Sequence, residues 1–152
     1  MSARAIVIGV GNAHRGDDAV GLEVLRALRD RVGPDVRLVR SDAEPASLLD
    51  AWTDADLAIL VDAMRSGAAI GTVRRFQADA EPLPIALFAR STHDLGVADA
   101  VELARALRRL PDRVVVYGVE GRAFDAGTAL TPEVARSIET TAIRVLSELG
   151  AA

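Results

Sequence analysis

The chain has 152 residues, half of them apolar and only 3% aromatic, with a formal net charge of −4. That length fits one domain, residues 1–152, whose core must be built from Ala, Val, Leu and Ile. The modest acidic balance argues against nucleic acid as a partner. The absence of Cys excludes disulfides, thiolate metal sites and cysteine nucleophiles, and no apolar run is long enough to span a membrane.

Ala5 to Val10 reads as a buried strand, short, apolar and ended by glycines. The N-terminus enters it at once, without the long apolar region and cleavage site of a signal peptide, so a cytoplasmic protein is expected. Val20, Leu22, Leu25, Leu28 and Val32 then recur at helical spacing, with Asp17 as a candidate N-cap and Gly33-Pro34 as the stop. Val36 to Val39 is a second strand and Pro45 to Trp52 a short helix. Leu57 to Val61 is a third buried strand, ending at Asp62. Thr72 to Gln77 predicts another strand, and Pro82 and Pro84 break the chain into a loop. A helix follows His93, with Val97, Val101, Ala104 and Leu107 inward and an end near Pro111. Val114 to Val119 is a further buried strand. Thr131-Pro132-Glu133 opens the last helix, with a capping residue, proline at the first helical position and then an acid. Val134, Ile138, Ala142, Val145 and Leu149 form its inner face. Strands that alternate with helices and are apolar on both sides predict a three-layer α/β fold, a mostly parallel twisted sheet with helices on both faces.

In such folds ligands collect at the carboxyl ends of the strands. Asn12, His14, Asp17 and Asp18 follow the first strand, Asp62 ends the third, and His93 precedes a helix in Ser91-Thr92-His93-Asp94. Two carboxylates and an imidazole suit a borderline divalent metal such as nickel or zinc, and three protein ligands leave positions open for substrate or water. Each residue also has a purely structural role available. Asp17 can cap its helix, Asp18 gains from the helix dipole, and His93 or Asp94 can cap the helix that follows. His14 competes with His93 as the imidazole. Asp62 is the most suggestive, because a carboxylate directly after five apolar residues is costly unless it is paired.

The loop Gly9 to Gly21, GVGNAHRGDDAVG, does not fit a phosphate. A dinucleotide site wants G-x-G-x-x-G. Here four residues separate Gly11 from Gly16, and Asp17 and Asp18 would repel a phosphate. Only Asp42, placed where an acid could hold a ribose, favours a nucleotide.

Gly9-Val10-Gly11-Asn12 followed by Gly16-Asp17-Asp18-Ala19-Val20-Gly21 resembles the N-terminal signature of the hydrogenase maturation endopeptidases. The similarity continues through Val61-Asp62-Ala63, Thr92-His93, Val116-Tyr117-Gly118-Val119 and Leu130-Thr131-Pro132-Glu133-Val134, in order along nearly the whole chain. The resemblance implies a twisted sheet covered by helices, and Asp18, Asp62 and His93 as ligands to a divalent metal, zinc or a nickel ion that the substrate brings. It implies an endopeptidase that removes a C-terminal extension from a nickel-loaded hydrogenase large-subunit precursor; a monomer that meets this substrate transiently is the default expectation. One segment departs. Where the family often has Asp-Gly-Gly, this chain has Arg40-Ser41-Asp42-Ala43-Glu44-Pro45. Asp42 stands in for the family's aspartate, but the glycines, which would permit positive φ, are absent. No Ser–His–Asp elbow and no H-E-x-x-H helix is present. Chemistry would fall to the metal and to a carboxylate base, Asp17 or Asp42. The expected catalytic set is Asp18, Asp62, His93 and Asp42. The alternative is a non-proteolytic metal-binding maturation factor with an altered loop.

Overall fold

Residues 4–88 and 96–150 are described in a computed structural model of the chain. Five strands, β1 (Ala5–Val10), β2 (Val36–Ser41), β3 (Leu57–Met64), β4 (Val73–Gln77) and β5 (Arg113–Glu120), form one sheet in the order β2-β1-β3-β5-β4. All neighbours are parallel except β4, which runs antiparallel to β5 at the edge. Four helices cover it: α1 (Val20–Leu28), α2 (Pro45–Ala51), α3 (Val97–Ala106) and α4 (Pro132–Gly150). α1 packs with α4, and α2 with α3.

The pairing follows from the strand alternation. Val7, Ile59, Val61, Val115 and Tyr117 point to the α1/α4 face. Ile6, Ile8, Leu60 and Val116 point to the α2/α3 face. Successive side chains alternate across a strand, so β1 and β3, buried on both sides, carry uninterrupted apolar runs. The edge strands β2 and β4 carry exposed arginines instead. On the α4 face Glu148 accepts from the Tyr117 hydroxyl at 2.9 Å, Arg75 Nε at 2.7 Å and Arg113 at 3.0 Å, tying β4, β5 and α4 together.

Every expected strand and helix is present, with some bounds adjusted; α1 ends at Leu28, before Val32 and the expected stop at Gly33-Pro34. β2 continues to Ser41 and β3 to Met64, so Asp62 lies inside its strand and not at its end. The helix after Asp17 starts only at Val20, following a single 3₁₀ turn, Gly16–Ala19, and Asp17 makes no cap to it. Leu107 lies just past α3 and is 53% exposed, because the helix has already ended at Ala106 and turned its face away.

Chain order and sheet order together single out one place on the sheet. β1 sits between β2 and β3, so the chain steps outward to β2 and then crosses back to β3. The order reverses at the β1/β3 pair, and open α/β sheets take ligands beyond the carboxyl ends of the strands at such a reversal. Gly21 lets α1 lie directly on that pair, since a Cβ there would collide with the carbonyl oxygens of Val61 and Val10.

Candidate active site at the carboxyl edge of the sheet

The loop from Gly11 to Ala19 crosses this edge. The Gly11 N–H donates to the Ser41 carbonyl at 3.0 Å, which binds the loop to β2. Gly11 has φ +147° and a Cβ would strike the Asp18 carbonyl, so only glycine fits. Asp18, in the 3₁₀ turn, is 7% exposed and its Oδ2 accepts from the Asn12 N–H at 2.9 Å. The Asn12 side chain in turn accepts from the His14 N–H. The turn packs against β3.

The two adjacent acids do different work. Asp17 is fully buried and both oxygens face inward. Oδ2 accepts from Arg122 N–H at 2.8 Å and Ala123 N–H at 3.0 Å, and Oδ1 from Thr131 N–H at 2.7 Å. The Thr131 hydroxyl adds contacts to both oxygens. Asp17 therefore clamps the loop after β5 and the start of α4 onto the first loop. This occupation corrects two expectations. Asp17 does not cap its own helix, and it is not available as a general base.

Asp62 is 1% exposed, sits opposite Gly118 of β5 and accepts at Oδ1 from the Ala63 N–H at 2.8 Å. Strand alternation places it on the face of Leu60 and Met64, which α3 covers. Glu120, two residues beyond Gly118 on the same face, is a buried acid that the sequence reading passed over. It accepts from the N–H groups of Ser66 at 3.0 Å and Gly67 at 3.3 Å, fixing the turn after β3. Its signal was the same as that of Asp62, an acid directly after a buried apolar strand.

Asp42 is exposed and accepts at Oδ1 from the Glu44 N–H at 3.0 Å. With Gly11, Val39, Arg40 and Ser41 it lines a cavity of about 380 Å³ beside the first loop. Ala43, 1% exposed, holds φ +71°, a left-handed conformation, without a glycine. Glu44 then caps α2, accepting from Ala46 N–H at 3.1 Å and Ser47 N–H at 2.8 Å. Those bonds, led by the one from the Ser47 hydroxyl, hold its carboxyl below the usual range.

His93, with Thr92 and Asp94, lies outside the described residues. His14 is exposed, and its carbonyl accepts from Gly127 N–H at 2.8 Å, which ties that stretch to the loop before α4. Among the described residues no group of three or more His, Cys, Asp or Glu side chains is placed to hold a metal ion. This overturns the expectation of nickel or zinc as a cofactor of this chain. The physical reason lies in where the donors point. Asp17 is spent on backbone N–H groups inside the protein, His14 sits out in solvent, and among the described residues no third ligand joins Asp18 and Asp62.

The chain is similar to known proteins along nearly its whole length. A family profile described as hydrogenase maturation protease matches residues 22–148. The hydrogenase 2 maturation protease of Escherichia coli is 32% identical over 151 residues, covering 96% of this chain and 90% of that protein. The solved structure of the hydrogenase maturating endopeptidase HybD from E. coli superposes with a TM-score of 0.82 at 29% identity, covering 97% of this chain and 93% of that one. A [NiFe] hydrogenase maturation protease HycI from Thermococcus kodakarensis superposes at 0.74 with 26% identity, over 97% and 92%.

Proposed function

This chain belongs to the hydrogenase maturation protease family, and on that premise we propose that it is the endopeptidase that removes the C-terminal extension of a hydrogenase large-subunit precursor. The precursor is its partner and substrate. No helix among the described residues is long and apolar enough to cross a membrane.

The observation that carries the reading is Asp62. A carboxylate held 1% exposed within a parallel strand at the point where the sheet order reverses is costly to bury and adds nothing to the apolar core around it. Asp18, 7% exposed, lies in the turn after β1 that packs against β3, the strand that carries Asp62. These two carboxylates, with His93, meet the nickel of a loaded precursor. That ion belongs to the substrate and arrives with it. Asp42 is the candidate general base, because it is exposed, lines the adjoining cavity and has one carboxylate oxygen beyond the one bonded to Glu44. Its place in the family pattern lacks the glycine pair, yet Ala43 already takes positive φ. The altered loop thus keeps a backbone path of the kind glycine would allow.

Purified chain incubated with nickel-loaded precursor, followed by intact mass spectrometry, tests this. The wild type shortens the large subunit at its C-terminus. Asp62→Asn slows the cleavage by on the order of 100-fold or more while leaving the far-UV circular dichroism unchanged. Equal cleavage of nickel-free precursor would remove the nickel-reading role. No shortening of loaded precursor by the wild type would remove the protease assignment.

A further inference from the structure

We propose that the outer edge of β2 receives the precursor's C-terminal extension as an added extended strand, leading it to Asp42 and the Asp18 loop. The inference rests on the protease reading above.

In a parallel pair, alternate residues turn their backbone groups toward the neighbouring strand. Ala5 N–H bonds the Asp35 carbonyl and Gly11 N–H bonds the Ser41 carbonyl, and the register runs without a break between them. Asp35, Arg37, Val39 and Ser41 therefore serve the β1 ladder. Leu38 and Arg40 direct their N–H and C=O groups away from the sheet, and among the described residues nothing bonds them. β2 has no proline and no bulge to blunt this edge. The Arg37 side chain, which could have screened it, is drawn to the Ala51 carbonyl of α2 at 2.5 Å.

Unpaired backbone donors and acceptors in a row are satisfied by another extended backbone. The occupant is therefore a polypeptide segment, and the proposed reaction supplies one. The cavity of about 380 Å³ fixes the direction in which it leads. It opens beside Val39 and Arg40, passes Ser41 and Asp42, and reaches Gly11, whose Cα abuts the Asp18 carbonyl. Leu22 on one side of the sheet and Leu48 on the other wall it, offering apolar contact to alternate side chains of an added strand.

The test replaces Leu38 and Arg40 with proline, one at a time. Each proline removes an outward N–H and leaves the β1 ladder intact, since an edge strand tolerates proline where its N–H faces solvent. With folding verified by melting temperature, kcat/KM for the precursor is expected to fall roughly fivefold for each, the loss of one edge hydrogen bond. A second measurement needs no variant. The amide signals of Leu38 and Arg40 in the wild type shift and gain protection from hydrogen exchange on adding precursor, and not on adding precursor truncated before the extension. Unchanged kcat/KM in folded proline variants, or unmoved amides under a cleaving wild type, would overturn the added strand and leave the protease reading standing. Protection of those amides without any shortening would overturn the protease reading and leave the docking edge standing. A wild type that shows neither overturns both.

Discussion

Removing the Asp17 carboxylate should loosen three segments at once. Asp17→Ala strips the acceptor from the backbone N–H groups of Arg122, Ala123 and Thr131, which lie 2.7 to 3.0 Å from it. An unsatisfied buried donor costs about 1–3 kcal/mol. The Thr131 bond is fully buried and carries that cost whole. The Arg122 and Ala123 bonds are part-buried, so water meets some of theirs. Summed, the loss is about 3–5 kcal/mol, a large share of the roughly 5–15 kcal/mol that holds a domain together. Equilibrium urea unfolding followed by far-UV circular dichroism measures it. Asp17→Asn retains one carbonyl acceptor and is expected to lose about half as much. A loss below about 1 kcal/mol for Asp17→Ala would refute the clamp.

Two further expectations concern strain and charge. Ala43→Gly should raise stability by about 0.5–1 kcal/mol, measured as a higher urea midpoint, because φ +71° costs alanine more than the added chain entropy costs glycine; a lower midpoint would remove the strain. Burial, and then the hydrogen bond to Glu148, push the Tyr117 hydroxyl up to about 12 from 10.0. A group whose pKa is raised on folding contributes stability that is full below its unfolded value. Stability should therefore fall as pH rises from about 10 to about 12, by on the order of 2 kcal/mol. Denaturant titrations of wild type and Tyr117→Phe across that range check it, since the variant should lack this decline. The Glu148 carboxyl, held below its usual range first by the Arg75 hydrogen bond, works the opposite way: its contribution is present above about 4.5 and lost on acidification through the depressed value.

Much of the architecture was legible in the residues because burial writes itself into pattern. β1 and β3 are covered on both faces, so every position is apolar and the strands announce themselves. The inner face of α4, with Val134, Ala142 and Val145 fully buried, follows a helical period that needs only the helix to be seen. The family signature was readable for a related reason. Glycines that let α1 lie against β1 and β3, and acids placed directly after apolar runs, are local in sequence.

What escaped the sequence is what depends on a partner far along the chain. Asp17 looks like a helix cap because its neighbours in sequence form a helix, yet its donors lie 105 to 114 residues away. Glu120 and Asp62 share one local pattern, but only the folded turn at Ser66 and Gly67 occupies Glu120. The expected metal ligands could be lined up along one edge from topology, while the directions of their oxygens could not. The amino-acid sequence by itself determined which segments are buried and in what order they alternate, because periodicity records the surroundings of each residue. Only the tertiary structure decided where each buried carboxylate points, because a charge inside a protein turns to whichever donors the rest of the chain brings within reach.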